Sequence, residues 1–282
     1  MESNAWSDLH QILSGRYSDA PALDGLDGNR ASDLLRTMAL RGSCRSFLDK
    51  PVPSACVDLL CAVALASPTK SDLQQRDIVL LRSSEMRQRL AGLVPDQAWV
   101  AEAPMIAVFC GNNRRQRLLH KWRRVPFAND HLDAFFNATG DAAVALGAFV
   151  TAAEALGLGC CPISAIRNNA KAVSELLGLP DHVFPFAGIA FGYPAHSPAV
   201  SKRLPLRVTC HIDRYQEDHL QTQITEYDSD RSKTQPYGKQ RYQEQFGASR
   251  NYTWSEDKVR QYSQPERDNF GEYVRAVGFK LD

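Results

Sequence analysis

The stretch Ala153-Glu154-Ala155-Leu156-Gly157-Leu158-Gly159-Cys160-Cys161-Pro162-Ile163-Ser164-Ala165 decides the reading of the fold. Its alanines continue a pattern that begins at Asp141 and predicts a long helix over 141–156, closed by Gly157 and Gly159 as a C-cap signal. Beyond the glycines come small residues and a proline. Such residues let backbone N–H groups approach a flat ligand, which makes Pro162, Ile163, Ser164 and Ala165 candidate contacts. The apolar run 142–159 also carries Glu154, follows Asp141 and contains three glycines, so a buried helix explains it better than a membrane span.

Working outward, Ser32 is an N-cap for a helix whose apolar face is Leu34, Leu35, Met38 and Leu40, and which stops at Gly42. Val57 to Leu65 forms a strongly apolar helix that ends before Pro68. Runs at 78–81, 105–110 and 183–193 are rich in branched or aromatic residues and predict buried strands. Helical patterns also cover 85–93, 170–177 and 270–277, and a short one lies near 8–13. Three regions result: an extension over 1–30, read as flexible, a core over 31–213, and a charged, Gln- and Tyr-rich segment over 214–282 suited to wrapping the core or a partner subunit.

The 282 residues hold 33 Lys plus Arg against 32 Asp plus Glu, a net charge of +1. No global field draws the chain to nucleic acid or an anionic membrane, so any anion site is local. The basic cluster Arg114, Arg115, Arg117, Lys121, Arg123 and Arg124 interleaves only with Trp122 and reads as a solvated or lid segment. Seven cysteines without framework spacing fit reduced thiols in a cytoplasmic protein, and the N-terminus lacks the pattern of a secretory signal.

Five segments can carry chemistry. Arg41-Gly42-Ser43-Cys44-Arg45-Ser46-Phe47 sets two guanidinium groups around a hydroxyl, a donor set that matches phosphate oxygens; the alternative is a basic helix end. The loop 69–74, with Thr69, Ser71 and Gln74, and the segment holding Gln97 and Trp99 offer hydroxyl and amide groups to the mixed edge of a heteroaromatic ring. Pro162–Ala165 is the fourth. Ser201, Lys202 and Arg203 form a second basic spot able to complete a phosphate clamp, or an ordinary surface turn. Neither the His nor the Cys residues show metal-site spacing, and no dinucleotide glycine motif, P-loop or nucleophile elbow is present, although a Cys-nucleophile hydrolase stays open on spacing alone.

The order of these segments resembles the FMN-dependent nitroreductase family, in its NADPH-flavin oxidoreductase and oxygen-insensitive nitroreductase branch. Arg41, Ser43, Arg45 and Phe47 match its opening basic stretch, and residues 66–74 are similar to its polar loop. Gln97, Trp99 and Val100, then 153–159 with Ile166-Arg167-Asn168-Asn169, and finally Gly192-Tyr193-Pro194-Ala195 ahead of Arg203-Leu204-Pro205, match in the same order. The resemblance implies an α+β fold with a central mixed, largely antiparallel sheet flanked by helices, assembled as an intertwined homodimer with two FMN sites at the interface. It implies that Arg41, Ser43, Arg45 and Arg203 hold the FMN phosphate, assisted by Ser201 and Lys202. Thr69, Ser71, Gln74, Gln97 and Trp99 would border the ring, and Pro162 to Ala165 would lie along its face. The implied activity is ping-pong hydride transfer from NADPH or NADH to FMN and then to a nitroaromatic, a quinone or free flavin, with no single protein acid or base required. Lys239, Arg241, Arg250 and Lys258 are candidates for a 2′-phosphate contact. Pro162 and Ser201 depart from the family pattern, which keeps two alternatives open: a non-catalytic flavin-binding sensor, and a specialised ring-cleaving or dehalogenating relative.

Overall fold

The computed structural model describes residues 4–23 and 32–282, so parts of the expected N-terminal extension, residues 1–3 and 24–30, lie outside the described residues. In chain order the elements are α1 (Asn4–Arg16), α2 (Ser32–Leu40), α3 (Ser54–Leu65), β1 (Arg76–Leu81), α4 (Ser84–Gly92), β2 (Met105–Asn112), α5 (Arg114–Arg123) and α6 (Leu132–Ala155). They continue with β3 (Gly159–Ile163), α7 (Ala170–Leu177), β4 (Val183–Gly192), α8 (Leu206–Thr209), α9 (Leu220–Thr234), α10 (Gln243–Phe246), α11 (Trp254–Gln261) and α12 (Phe270–Ala276). Two units emerge. The larger spans Ser43–Pro198 and Arg267–Asp282; the smaller joins the described residues up to Gly42 to Ala199–Glu266.

The larger unit is built on a four-stranded sheet in the order β1-β2-β4-β3, with every pairing antiparallel. Successive residues of a strand point to opposite faces. In β2, Ala107 and Phe109 join Val57 and Leu60 of α3 and Phe149 of α6 on one face, while Ile106, Val108 and Cys110 join Leu90 of α4 and Val173 of α7 on the other. A strand covered on both faces needs apolar residues at every position, which is why β2 and β4 read as continuous apolar runs. Each buried Phe or Leu here contributes about 1.5–3 kcal/mol. Local signals fix the ends: Ser83 caps α4 by accepting a hydrogen bond from Met86 N at 3.2 Å, and Gly178 ends α7 with φ of 65°.

The basic segment read as solvated or lid is the helix α5, and the charged tail holds α9 to α11; three further elements differ from the sequence expectation. α6 starts at Leu132, ahead of the expected Asp141, because His131 caps it through a ring nitrogen 3.4 Å from Asp133 N. Its buried stripe is Ala138, Asp141, Ala142, Ala145, Phe149 and Ala153, whereas Phe136 is 70% exposed and Val144 44%, so the helix is buried on one side only. By length and composition α6 could cross a membrane, yet the stripe packs on the sheet like that of a core helix. Second, the small-residue stretch after Gly157 is itself a strand, β3. Third, α1 extends beyond the short helix expected near 8–13 at both ends.

In the smaller unit the buried groups beyond Asp213 are largely polar. Asp228 accepts from Ser255 N at 2.9 Å and from the Ser255 hydroxyl; Asp257 accepts from Tyr252 Oη at 2.9 Å and Lys258 Nζ at 2.7 Å. Charges packed in this way read as a solvated tail in the sequence. α12 belongs to the larger unit, where Val274 and Phe279 pack with Phe184 and Ala138.

Candidate functional site

The segment Ser43–Phe47 is extended and runs along the sheet. Cys44 N donates to Cys160 O at 3.1 Å, Ala195 N donates to Ser46 O at 3.0 Å, and Phe47 bridges to Pro194. Close approach requires glycine at 159, since a Cβ there would sit 2.6 Å from both Cβ and Sγ of Cys44. This strip aims Arg45 at the indole of Trp99, whose centroid lies 5.9 Å from the guanidinium carbon. Trp99 follows Gln97 in a short 3₁₀ turn, Ala98–Val100, and packs with Phe47, Ile163 and Ala165 on one side of the sheet. Three of the five segments therefore meet on this side of the sheet. Ile163 is 1% exposed with its side chain in the core, so it offers only backbone, while Ser164 and Ala165 open the 3₁₀ segment that follows.

The polar loop is elsewhere. Asn112 N donates to Gln75 O at 2.9 Å, which puts the loop beside the last residue of β2, whereas the Trp99 turn precedes the first. An eight-residue strand separates them by a distance on the order of 20 Å. Ser71, Asp72 and Gln74 have φ of 50°, 56° and 52°, left-handed values that non-glycine residues rarely adopt. Asp141, 3% exposed on α6, over-determines them: Oδ1 accepts from Lys70 N at 2.9 Å and Oδ2 from Gln75 N at 2.7 Å. Arg76, also buried, lies 3.9 Å from the same carboxylate and donates to Leu65 O at 2.6 Å and Ser67 O at 3.0 Å. Thr69 Oγ1 accepts from Gln74 N at 3.0 Å.

The remaining basic groups lie in the smaller unit. Arg16, 6% exposed, donates to Ala39 O at 2.6 Å, to Arg41 O at 2.8 Å and, at 3.5 Å, to Ser201 O. Its own carbonyl accepts from Arg203 N at 2.8 Å, so the segments bearing Arg41 and Arg203 are fastened together. Arg203 Nη1 lies 3.4 Å from Ser201 Oγ, while Lys202 is paired with Asp230. A cavity of about 430 Å³ opens beside them, lined by Ser201, Lys202, Arg203, Tyr17, Tyr237 and Lys258 among others. Among the tail cations, Arg241 and Lys258 both hold Asp257. Lys239 and Arg250 are exposed.

Sequence reasoning passed over Arg16 and Asp141, the buried charges that hold these segments. Asp141 carried a signal, a lone carboxylate heading an alanine-rich run. Arg16 carried none. Burial pushes the Cys110 thiol up to about 12 and raises those of Cys44 and Cys61, which disfavours these three as nucleophiles.

An α+β unit with an antiparallel sheet, an arginine-bearing strip and a strained polar loop defines the class, and the comparisons supply the family. The nitroreductase family model matches residues 38–193, and its C-terminal domain model matches 201–282. The chain belongs to the nitroreductase family. The FMN reductase [NAD(P)H] of Bacillus subtilis is 29% identical over 256 residues, covering 89% of this chain and 99% of the relative. An FMN reductase (NADPH) of the same organism is 30% identical over 252 residues, covering 88% and 98%. The solved structure of B. megaterium NfrA2 superposes with a TM-score of 0.80 at 28% identity, over 89% of this chain and 99% of that one.

Proposed function

We propose that this chain is an NAD(P)H-dependent FMN oxidoreductase acting on small electron-poor acceptors. The carrying observation is that Arg41 and Arg203, far apart in sequence, sit on segments fastened to one another, with the Ser201 hydroxyl beside Arg203. Two forked cations and a hydroxyl fit the dianionic end of a phosphate monoester, the group that FMN presents. Ser43 and Arg45 follow Arg41 along the chain, and the family resemblance assigns them to the same phosphate. When bound, FMN supplies the redox chemistry, taking hydride from the nicotinamide and passing electrons to a nitroaromatic, a quinone or free flavin in a ping-pong cycle. The protein's part is to hold and to shield. Trp99 and Gln97 border the ring on one side, the backbone at Pro162–Ala165 lies along its face, and preorganised N–H donors favour negative charge on it. Exposed Lys239 and Arg250 are the tail cations left to meet a 2′-phosphate, which supports a preference for NADPH.

A second chain completes the site in this reading. Thr69, Ser71 and Gln74 lie at the opposite end of the sheet from Arg45 and Trp99, too far to border one ring in a single chain. Exposed apolar residues, Leu59 and Val63 on α3 with Phe136 and Val144 on α6, supply a surface for a homodimer in which the loop of one copy reaches the ring held by the other. The 214–282 segment then serves core or partner, and seven free thiols suit the cytoplasm.

Flavin content after gel filtration tests the phosphate assignment. Arg203→Ala is expected to lose most of its FMN, by tenfold or more in affinity, about 1.4 kcal/mol. Full occupancy in that variant removes the assignment. Bleaching of the yellow protein by NADPH, with recovery on adding a quinone, is the expected sign of turnover; failure to recover would make the protein a sensor.

A further inference from the structure

We propose that Arg16, in a helix that precedes the first residue matched by the family model, is a positioning residue for the FMN phosphate, because it sets the spacing between Arg41 and Arg203. The inference rests on the phosphate reading above and adds to it a residue outside the family's matched span.

A guanidinium carries five N–H donors in a rigid plane, so it can hold several carbonyls at fixed directions where a lysine holds one point. Arg16 uses them so. Nη1 takes Ala39 O and Nη2 takes Arg41 O, gripping the last turn of α2, while Nε faces Ser201 O. The main chain completes the grip from the other direction, with Arg203 N donating to Arg16 O. Asp19, three residues on, repeats the device with the opposite charge. Its Oδ1 accepts from Leu206 N at 2.7 Å and its Oδ2 from Arg207 N at 2.8 Å, and it pairs with Arg207 at 3.4 Å. The last residue of α1 and the turn after it thus engage the chain on both sides of Arg203 and the backbone of Arg41. A scaffold that fixes the separation of the two arginine-bearing segments in advance lowers the cost of ordering them around one dianion.

Flavin-stripped full-length protein titrated with FMN and, separately, with riboflavin tests this, since riboflavin lacks only the phosphate. Arg16→Met is expected to weaken FMN by about tenfold while changing riboflavin by less than about twofold. Arg16→Lys keeps the charge and stem and guards against a folding defect; a loss of about threefold or more, again confined to FMN, is expected because the fork is gone. Equal losses for both ligands in the Lys variant would overturn the proposal in favour of a purely structural role. So would wild-type FMN affinity in the Lys variant while Arg203→Ala shows its loss, an outcome that leaves the phosphate reading standing. If Arg203→Ala itself keeps the wild-type ratio of FMN to riboflavin affinity, the phosphate reading falls and this inference with it.

Discussion

Two buried charges of opposite sign do the same job in two regions. In the larger unit Asp141 accepts hydrogen bonds from the backbone on both sides of the loop 69–75 and holds three residues in left-handed conformations. In the smaller unit Arg16 donates to backbone carbonyls and holds the segments that bear Arg41 and Arg203. A carboxylate suits a loop that turns its N–H groups inward; a guanidinium suits helix ends and extended chain, whose free groups are carbonyls. The difference teaches that the residues proposed to face the ligand sit on segments held by buried charges beneath them.

That comparison can be broken most forcefully at Asp141. Asp141→Ala leaves two loop N–H groups and the buried Arg76 guanidinium without the carboxylate, a loss expected to cost about 3–5 kcal/mol in urea unfolding. A cost below about 1 kcal/mol would mean that the strained loop is held by other contacts. Gly159→Ala probes the strip independently of either charge. Its Cβ would meet Cys44 at 2.6 Å, so the Ser43–Phe47 strip has to shift, with an expected cost of about 1–3 kcal/mol and weaker flavin retention. A stable variant with full flavin would show that the strip need not lie so close.

The smallest expected effect is one of pH. Hydrogen bonds from Arg117 and Lys280 hold the Asp130 carboxyl down to about 2. Because the folded value lies below the unfolded one, this pairing stabilises the fold above about pH 4 and loses that contribution as pH falls toward 2. Asp130→Asn is therefore expected to be less stable than the parent by about 1 kcal/mol or less at neutral pH and equal to it at pH 2. An unchanged gap at both values would place the effect in packing.

Much of this was legible in the sequence, and for physical reasons. Strands covered on both faces announce themselves as continuous apolar runs, so 105–110 and 183–193 located β2 and β4; Gly178 marked the end of α7 through its positive φ. β3 was less visible, because Gly159-Cys160-Cys161-Pro162-Ile163 has a single branched residue, at its end, and no alternation, and becomes a strand through pairing with β4. Of the site, the arginine-bearing strip and the Trp99 turn were readable as motifs, and the structure brings Arg45 to Trp99. What no motif carried was support from a distance. Arg16 lies 25 residues before Arg41 and reaches it through the fold. The polar pairing around Asp257 stayed hidden for the same reason, since charged residues that satisfy one another look like solvated ones until their partners are known.

Native mass spectrometry of the purified, unmodified protein puts the central claim to its most direct trial, because the loop at one end of the sheet and the Arg45–Trp99 pair at the other are proposed to border the same ring only across two chains. The account predicts an assembly of two 31.4-kDa chains carrying two FMN molecules, which sheds flavin as it dissociates. A single chain that keeps one FMN at full occupancy would contradict it.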